Sequence, residues 1–170
     1  SHEFLGATII KLNDDLTTEW IQYYTNPITF NDIDYGTPVK IPGGYILFGI
    51  TADASLHSEA IAQRIDEQGN SIWIKQFGFD NASDSYTDMR RYGEDKLIAC
   101  GSAGIGNTIT FIHILDFDGN LVDSWQSPIV PEIGYIRKAY PLEDESIILY
   151  GQYITEQENG ILYVTNVAAR

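Results

Sequence analysis

Short apolar runs rich in Ile, Val, Phe and Tyr alternate along the whole chain with clusters of Asp, Asn, Gly and Pro. β-branched and aromatic residues suit the pleated surface of a sheet, and the polar clusters supply turn chemistry. The pattern predicts strands at 7–12, 17–24, 35–41 and 45–51, then at 60–66, 71–77, 86–92 and 96–102. It continues at 109–116, 121–126, 135–140 and 146–153, and ends at 161–167. Pro38 falls inside the third of these; it has no N–H to donate, so that strand should be irregular or unpaired on that side. Residues 52–63 (ADASLHSEAIAQ) have helix-forming composition, with Asp53 or Ser55 placed to cap. A repeat along the chain outweighs that local preference and puts a loop and then a strand there.

The repeat rests on three landmarks in one order. The first is an apolar strand end, a polar turn and a Trp: KLNDDLTTEW ending at Trp20, RIDEQGNSIW ending at Trp73, and ILDFDGNLVDSW ending at Trp125. Leu12, Ile65 and Leu115 close the strand, and Asn13, Asp66 and Asp116 open the turn. The third Trp comes two residues late, which keeps its side chain on the same strand face. The second landmark is a turn, an apolar strand and a Gly, ending at Gly49, Gly101 and Gly151. The third is an aromatic ahead of that strand, at Tyr35, Tyr86 and Tyr135. The copies span residues 7–51, 60–102 and 109–153, with a partial fourth at 161–167, in one repeat domain covering 1–170.

Four antiparallel strands per copy predict an all-β, β-propeller-like fold of about three blades plus one strand. Ile72 and Ile74 alternate with Trp73 and Phe77, so both faces of that strand are apolar, as a sheet sandwiched between two others requires. A β-sandwich with coincidental spacing is the plainer alternative. Three copies and part of a fourth fall short of the roughly four to eight blades of a closed ring. Either the chain is part of a larger ring, or a homo-oligomer completes one, or the blades stack openly.

At these motifs the chain resembles a family of bacterial surface and secreted β-propeller proteins. Their repeats read apolar-Lys-Leu-Asp-x-x-Gly-Asn-x-x-Trp, followed by Gly-Gly-Tyr-x-x-x-Gly. The resemblance runs from about residue 7 to residue 153. It implies a non-catalytic binding or scaffold module, extracellular or in the bacterial cell envelope, recognising protein or glycan.

Charge narrows the partners. Ten Lys and Arg against 24 Asp and Glu leave −14, which argues against nucleic acid or an anionic membrane surface, both of which need a basic face. No stretch is apolar enough for a transmembrane segment. One cysteine excludes an internal disulfide framework. Residues 1–4, Ser-His-Glu-Phe, read as a cloning remnant.

No catalytic residue and no cofactor motif stands out. Cys100 shares its slot with Phe48 and Tyr150, which marks a packing position. His113 shares its slot with Ile10 and Gln63, which favours a satisfied core or edge histidine over a metal ligand. Asp116, Asp118 and Asn120 resemble the opening of a calcium loop, but lack the acidic positions that follow, so a turn demanding positive φ is favoured. Residues 80–84 with Asp88 form an acidic cluster, read as an exposed loop. The recurring Tyr35, Tyr86 and Tyr135 point to structure; the nonrecurring Phe30, Phe79 and Tyr153 are the weak candidates for ligand binding. Two alternatives to a binding module remain: a propeller-type glycoside hydrolase with paired carboxylates, and a truncated or engineered propeller fragment.

Overall fold

The computed structural model describes residues 6–25, 33–52, 58–78, 83–104, 109–127, 135–144, 146–154 and 159–167; side chains are described for all of these except Tyr135, 152–154 and 159–167. Every element among them is a strand, and neighbouring strands in each sheet run antiparallel. The first sheet pairs β1 (Ala7–Leu12) with β2 (Thr18–Tyr24). The second runs from β3 (Ile33–Tyr35) through β5 (Gly44–Ala52) and β6 (Ser58–Ile65) to β7 (Ser71–Phe77), with β4 (Val39–Ile41) also on β5. The third orders β8 (Ser85–Tyr92), β9 (Lys96–Ala103), β10 (Ile109–Asp116) and β11 (Leu121–Gln126). The fourth orders β12 (Tyr135–Pro141), β13 (Ile147–Ile154) and β14 (Asn159–Val167).

The sheets stack face to face in chain order, and the alternation of side chains along the second strand of each shows how. In β9, Leu97 and Ala99 face the second sheet, where they join Ile46, Phe48, Ala60 and Ala62. Ile98 and Cys100 face the other way and join Ile136, Ala139, Ile147 and Leu149 of the fourth sheet. On the far side of β5, Leu47 packs with Ile65 and Tyr24, and with Trp20 and Ile9 of the first sheet. A sheet covered on both faces needs apolar residues at both parities, which is why β9 and β10 read as nearly unbroken hydrophobic runs. Each fully buried Leu or Ile here contributes roughly 1.5–3 kcal/mol over an exposed one.

The sheets divide the chain two strands out of step with the sequence copies. Each copy's first two strands are the last two of one sheet, and its remaining strands open the next. No sheet closes on itself among the described residues. β14, expected to begin a further copy, hydrogen-bonds to β13 of its own chain. Residues 52–63 contain no described helix: β6 starts at Ser58 and its strand character follows the repeat. The irregular strand expected at Pro38 is split, with β3 and β4 both on β5 and residues 36–38 between them.

The turn-and-Trp landmark is a clasp between sheets. Asp66 and Asp116 open identical hairpins, in which one carboxylate oxygen accepts the N–H groups of Gln68 and Asn70, or of Asp118 and Asn120, at 2.8–2.9 Å. Gly69 and Gly119 then take φ of +81° and +72°, which a side chain resists. The Trp of the preceding sheet reaches this turn. Trp20 Nε1 donates to the Glu67 carbonyl at 2.9 Å and Trp73 Nε1 to the equivalent Phe117 carbonyl at 3.2 Å. Each ring lies against the turn glycine, where a Cβ on Gly69 would come within 3.1 Å of Trp20 and one on Gly119 within 2.8 Å of Trp73. Lys75 adds three bonds to the same turn, through the carbonyls of Asp118 and Gly119 and the side chain of Asn120.

Two positions break this pattern. Leu16 stands where the glycine should be and still takes φ of 65°. Trp125 pairs with Ile112, two residues beyond the slot of Trp20 and Trp73, and Asp123 holds that slot.

Candidate functional site

The first strands of the second, third and fourth sheets carry the chain's least expected chemistry. β3, β4, β8 and β12 hold Lys40, Arg90, Arg91, Arg137 and Lys138, half of the chain's ten basic residues, against two acids, Asp34 and Asp88. Five minus two gives these strands +3 in a chain of −14. They are the edge strands of their sheets, and each is interrupted. Residues 36–38 separate β3 from β4, and the register shifts at Thr87 in β8 and at Arg137 in β12. Bulges of this kind bend an edge and re-aim its side chains.

The interruptions let neighbouring sheets grip each other. The Thr87 hydroxyl lies 3.2 Å from the carbonyl of Cys100 in its own sheet and 3.0 Å from that of Ile136 in the next. Asp88 Oδ2 accepts from Arg90 Nε at 2.8 Å and from the Ala139 backbone N–H of the fourth sheet at 3.3 Å. The Arg90 guanidinium lies 4.2 Å from the centre of the Tyr140 ring. The carboxylate beside Arg90 raises the guanidinium's pKa further and secures its charge.

A groove of about 490 Å³ opens over these strands, lined by residues 37–40, 88–91 and Lys138. Lys40 reaches Glu67 at 2.5 Å and lies over the Tyr45 ring. Arg91 donates to the Glu94 carbonyl at 3.1 Å. Arg91 and Lys138 form no ion pair among the described residues, although acids outnumber bases 24 to 10. Among the described residues Asp88 is the groove's single lining carboxylate. The groove's volume falls within the roughly 300–1,000 Å³ of small-molecule sites.

Two of the recurring tyrosines, Tyr35 and Tyr86, each tie together strands of their own sheet. Tyr35 donates to Gln63 Oε1, and the Tyr86 hydroxyl lies 2.8 Å from His113 Nδ1. Gln63 and His113 occupy the same repeat slot, so a buried polar pair recurs across two sheets. Burial raises both tyrosine pKa values and lowers that of His113 to about 4, keeping the imidazole neutral. His113 also packs among Phe77, Tyr86 and Phe111. The tyrosine crosses the middle strand at a glycine: Tyr35 pairs with Gly49 and Tyr86 with Gly101. A Cβ on either would sit about 2 Å from a carbonyl of the tyrosine strand (Asp34 O at 1.9 Å, Ser85 O at 2.1 Å).

The residues singled out from sequence do not converge here. Phe30 and Phe79 lie outside the described residues, and of Tyr153 only its place in β13 is described. Asp116 spends its carboxylate on its own turn, where burial raises its pKa but the bonds from Asn120 and Asp118 outweigh it and hold it low. Asp118 is 3.0 Å from Arg64, and no described group of three potential metal ligands forms around these residues. Cys100 is buried, and burial pushes its thiol up to about 12. The acidic cluster expected on an exposed loop is a different thing: Asp84 is fully buried and Asp88 is held in β8. Residues 80–82 lie outside the described set. The basic residues were missed because net charge averages over the chain. The signal available was their recurrence just after each landmark tyrosine.

No helix of the described residues is long and apolar enough to cross a membrane. The chain matches no protein-family model, and no curated protein matches it.

Proposed function

We propose that this chain is a non-catalytic binding or scaffold module of a bacterial surface or secreted protein, built on a β-propeller-like stack and recognising protein or glycan through the groove over its first strands. The observation that carries this reading is the groove's chemistry: two cations, Arg91 and Lys138, that form no ion pair among the described residues, Arg90 stacked on Tyr140, and one carboxylate already committed to Arg90 and Ala139. A glycoside hydrolase needs two carboxylates facing one bond, one with a raised pKa. Among the described residues Asp88 alone supplies a carboxylate to the groove, so no such pair faces it. The test is a glycan array followed by product analysis on every glycan retained. Binding without turnover is expected. Turnover abolished by Asp88→Asn would replace this reading with the hydrolase.

A second copy of the chain is its partner at the ends of the stack. The outer face of the first sheet exposes Ile10, Leu12, Ile21 and Tyr23, the last 75% exposed, whereas the equivalent Ile65 and Leu115 are buried by a preceding sheet. The two exceptions to the clasp fit each other. Were a second copy's first hairpin to complete the fourth sheet, its Leu16 would fall at the slot that Asp123 holds and Trp125 has vacated. In this reading the β1–β2 hairpin of a second copy takes the edge of β13 now held by β14, a strand exchange. Light scattering across concentrations tests it. A discrete oligomer reduced to monomer by Ile10→Lys with Ile21→Lys is expected, and a wild-type monomer refutes it.

A further inference from the structure

We infer that the groove over the first strands binds an acidic glycan, its carboxylate or sulfate groups held by Arg91 and Lys138. This rests on the binding-module reading and names its ligand class. Lys11, Lys40, Arg64 and Arg90 each pair with a carboxylate, whereas Lys75 spends its charge on the carbonyls of a turn. Arg91 and Lys138 instead point their charge at a shared groove, from successive sheets. The planar guanidinium suits bidentate capture of a carboxylate or sulfate, and the lysine supplies a point charge.

Placement selects glycan over peptide. The first strands are sheet edges, where an extended peptide adds by main-chain pairing. Here each edge is broken, at residues 36–38, at Thr87 and at Arg137, so no continuous ladder of N–H and C=O groups is offered. What the groove presents instead is basic side chains from three successive sheets, Lys40, Arg90, Arg91 and Lys138, which suits anions repeated along a saccharide. Tyr140, 36% exposed and stacked on the groove residue Arg90, adds apolar area for a sugar ring.

The test is titration calorimetry of the full chain with polygalacturonate, dextran sulfate, neutral dextran and poly-glutamate, at low and moderate salt. The variants are Arg91→Ser with Lys138→Ser, and Lys11→Ser, whose cation lies on the first sheet. Binding of one or both acidic glycans, weakened by salt, reduced at least about tenfold by the groove pair (a loss of about 1.4 kcal/mol) and unchanged by Lys11→Ser, supports the inference. The two acidic glycans distinguish carboxylate from sulfate as the anion. Poly-glutamate bound as tightly as the glycans, or an unaltered affinity in the groove pair, overturns it. Neutral dextran bound alone overturns the anionic ligand while leaving a binding module. Silence from all four probes overturns the inference; the binding-module reading then stands or falls separately on the glycan array. Matching circular dichroism and urea midpoints of the variants exclude misfolding as the cause.

Discussion

Gly119→Ala isolates the clasp between the second and third sheets. Gly119 sits at φ +72°, and an alanine there costs about 1–2 kcal/mol for the left-handed backbone alone. Its Cβ would also come within 2.8 and 2.9 Å of two Trp73 ring atoms and 3.1 Å of Lys75 Cδ. Lys75 has a flexible tail and can move aside. The indole cannot do so freely, because its Nε1 is bonded to the Phe117 carbonyl of the same turn at 3.2 Å. Displacing it sacrifices that bond, about 1 kcal/mol, with some ring packing besides. The total is about 2–4 kcal/mol. Gly93, in a turn of the same sheet, is the control: its φ is +65° and nothing lies within 4 Å of an added Cβ. Gly93→Ala should cost only the backbone part. Equilibrium urea unfolding of both variants, repeated in a Trp73→Ala background, reads the difference as a coupling. Equal costs for the two glycines, or a difference that survives removal of Trp73, would refute the clasp.

Other expectations follow from the same structure. Trp20→Phe and Trp73→Phe should each lose about 1 kcal/mol by urea unfolding, since ring burial largely persists while the bond to the turn carbonyl is lost. His113 is held neutral, with a folded pKa near 4 against about 6.5 unfolded. The unfolded state therefore binds the extra proton as pH falls, and stability drops between about pH 6.5 and 4, by at most about 3.4 kcal/mol. His113→Gln, which keeps an acceptor for Tyr86 as Gln63 does for Tyr35, should flatten that slope in urea midpoints compared at pH 7.5 and pH 5. Cys100, buried with its thiol pushed to about 12, should resist iodoacetamide in the native protein and react fully in denaturant, as mass spectrometry would show.

Particular residues show how far the sequence reached. Landmark tyrosines and turn glycines were legible because each answers a local demand: positive φ at Gly69 and Gly119, a bare backbone at Gly49 and Gly101. Their partners were not. Nothing in the spacing says that Tyr86 meets His113, 27 residues on, or that Trp73 bonds a carbonyl 44 residues away. Asp84 and Asp88 looked like one exposed cluster because sequence distance cannot report burial.

The two apolar faces expected of 71–77 are not both covered, since β7 is an edge strand and Ile72 is 52% exposed. Strand against helix and the turn chemistry are what the sequence by itself determined. Those are properties of short windows, set by φ, side-chain branching and the period of two along a strand. Tertiary structure alone decided which strands share a sheet, shifting the boundaries by two strands from the copies. It also decided that basic residues dispersed among 24 acids gather over one groove. The reason is that pairing and packing join residues about fifty positions apart, and charge acts through that folded distance rather than along the chain.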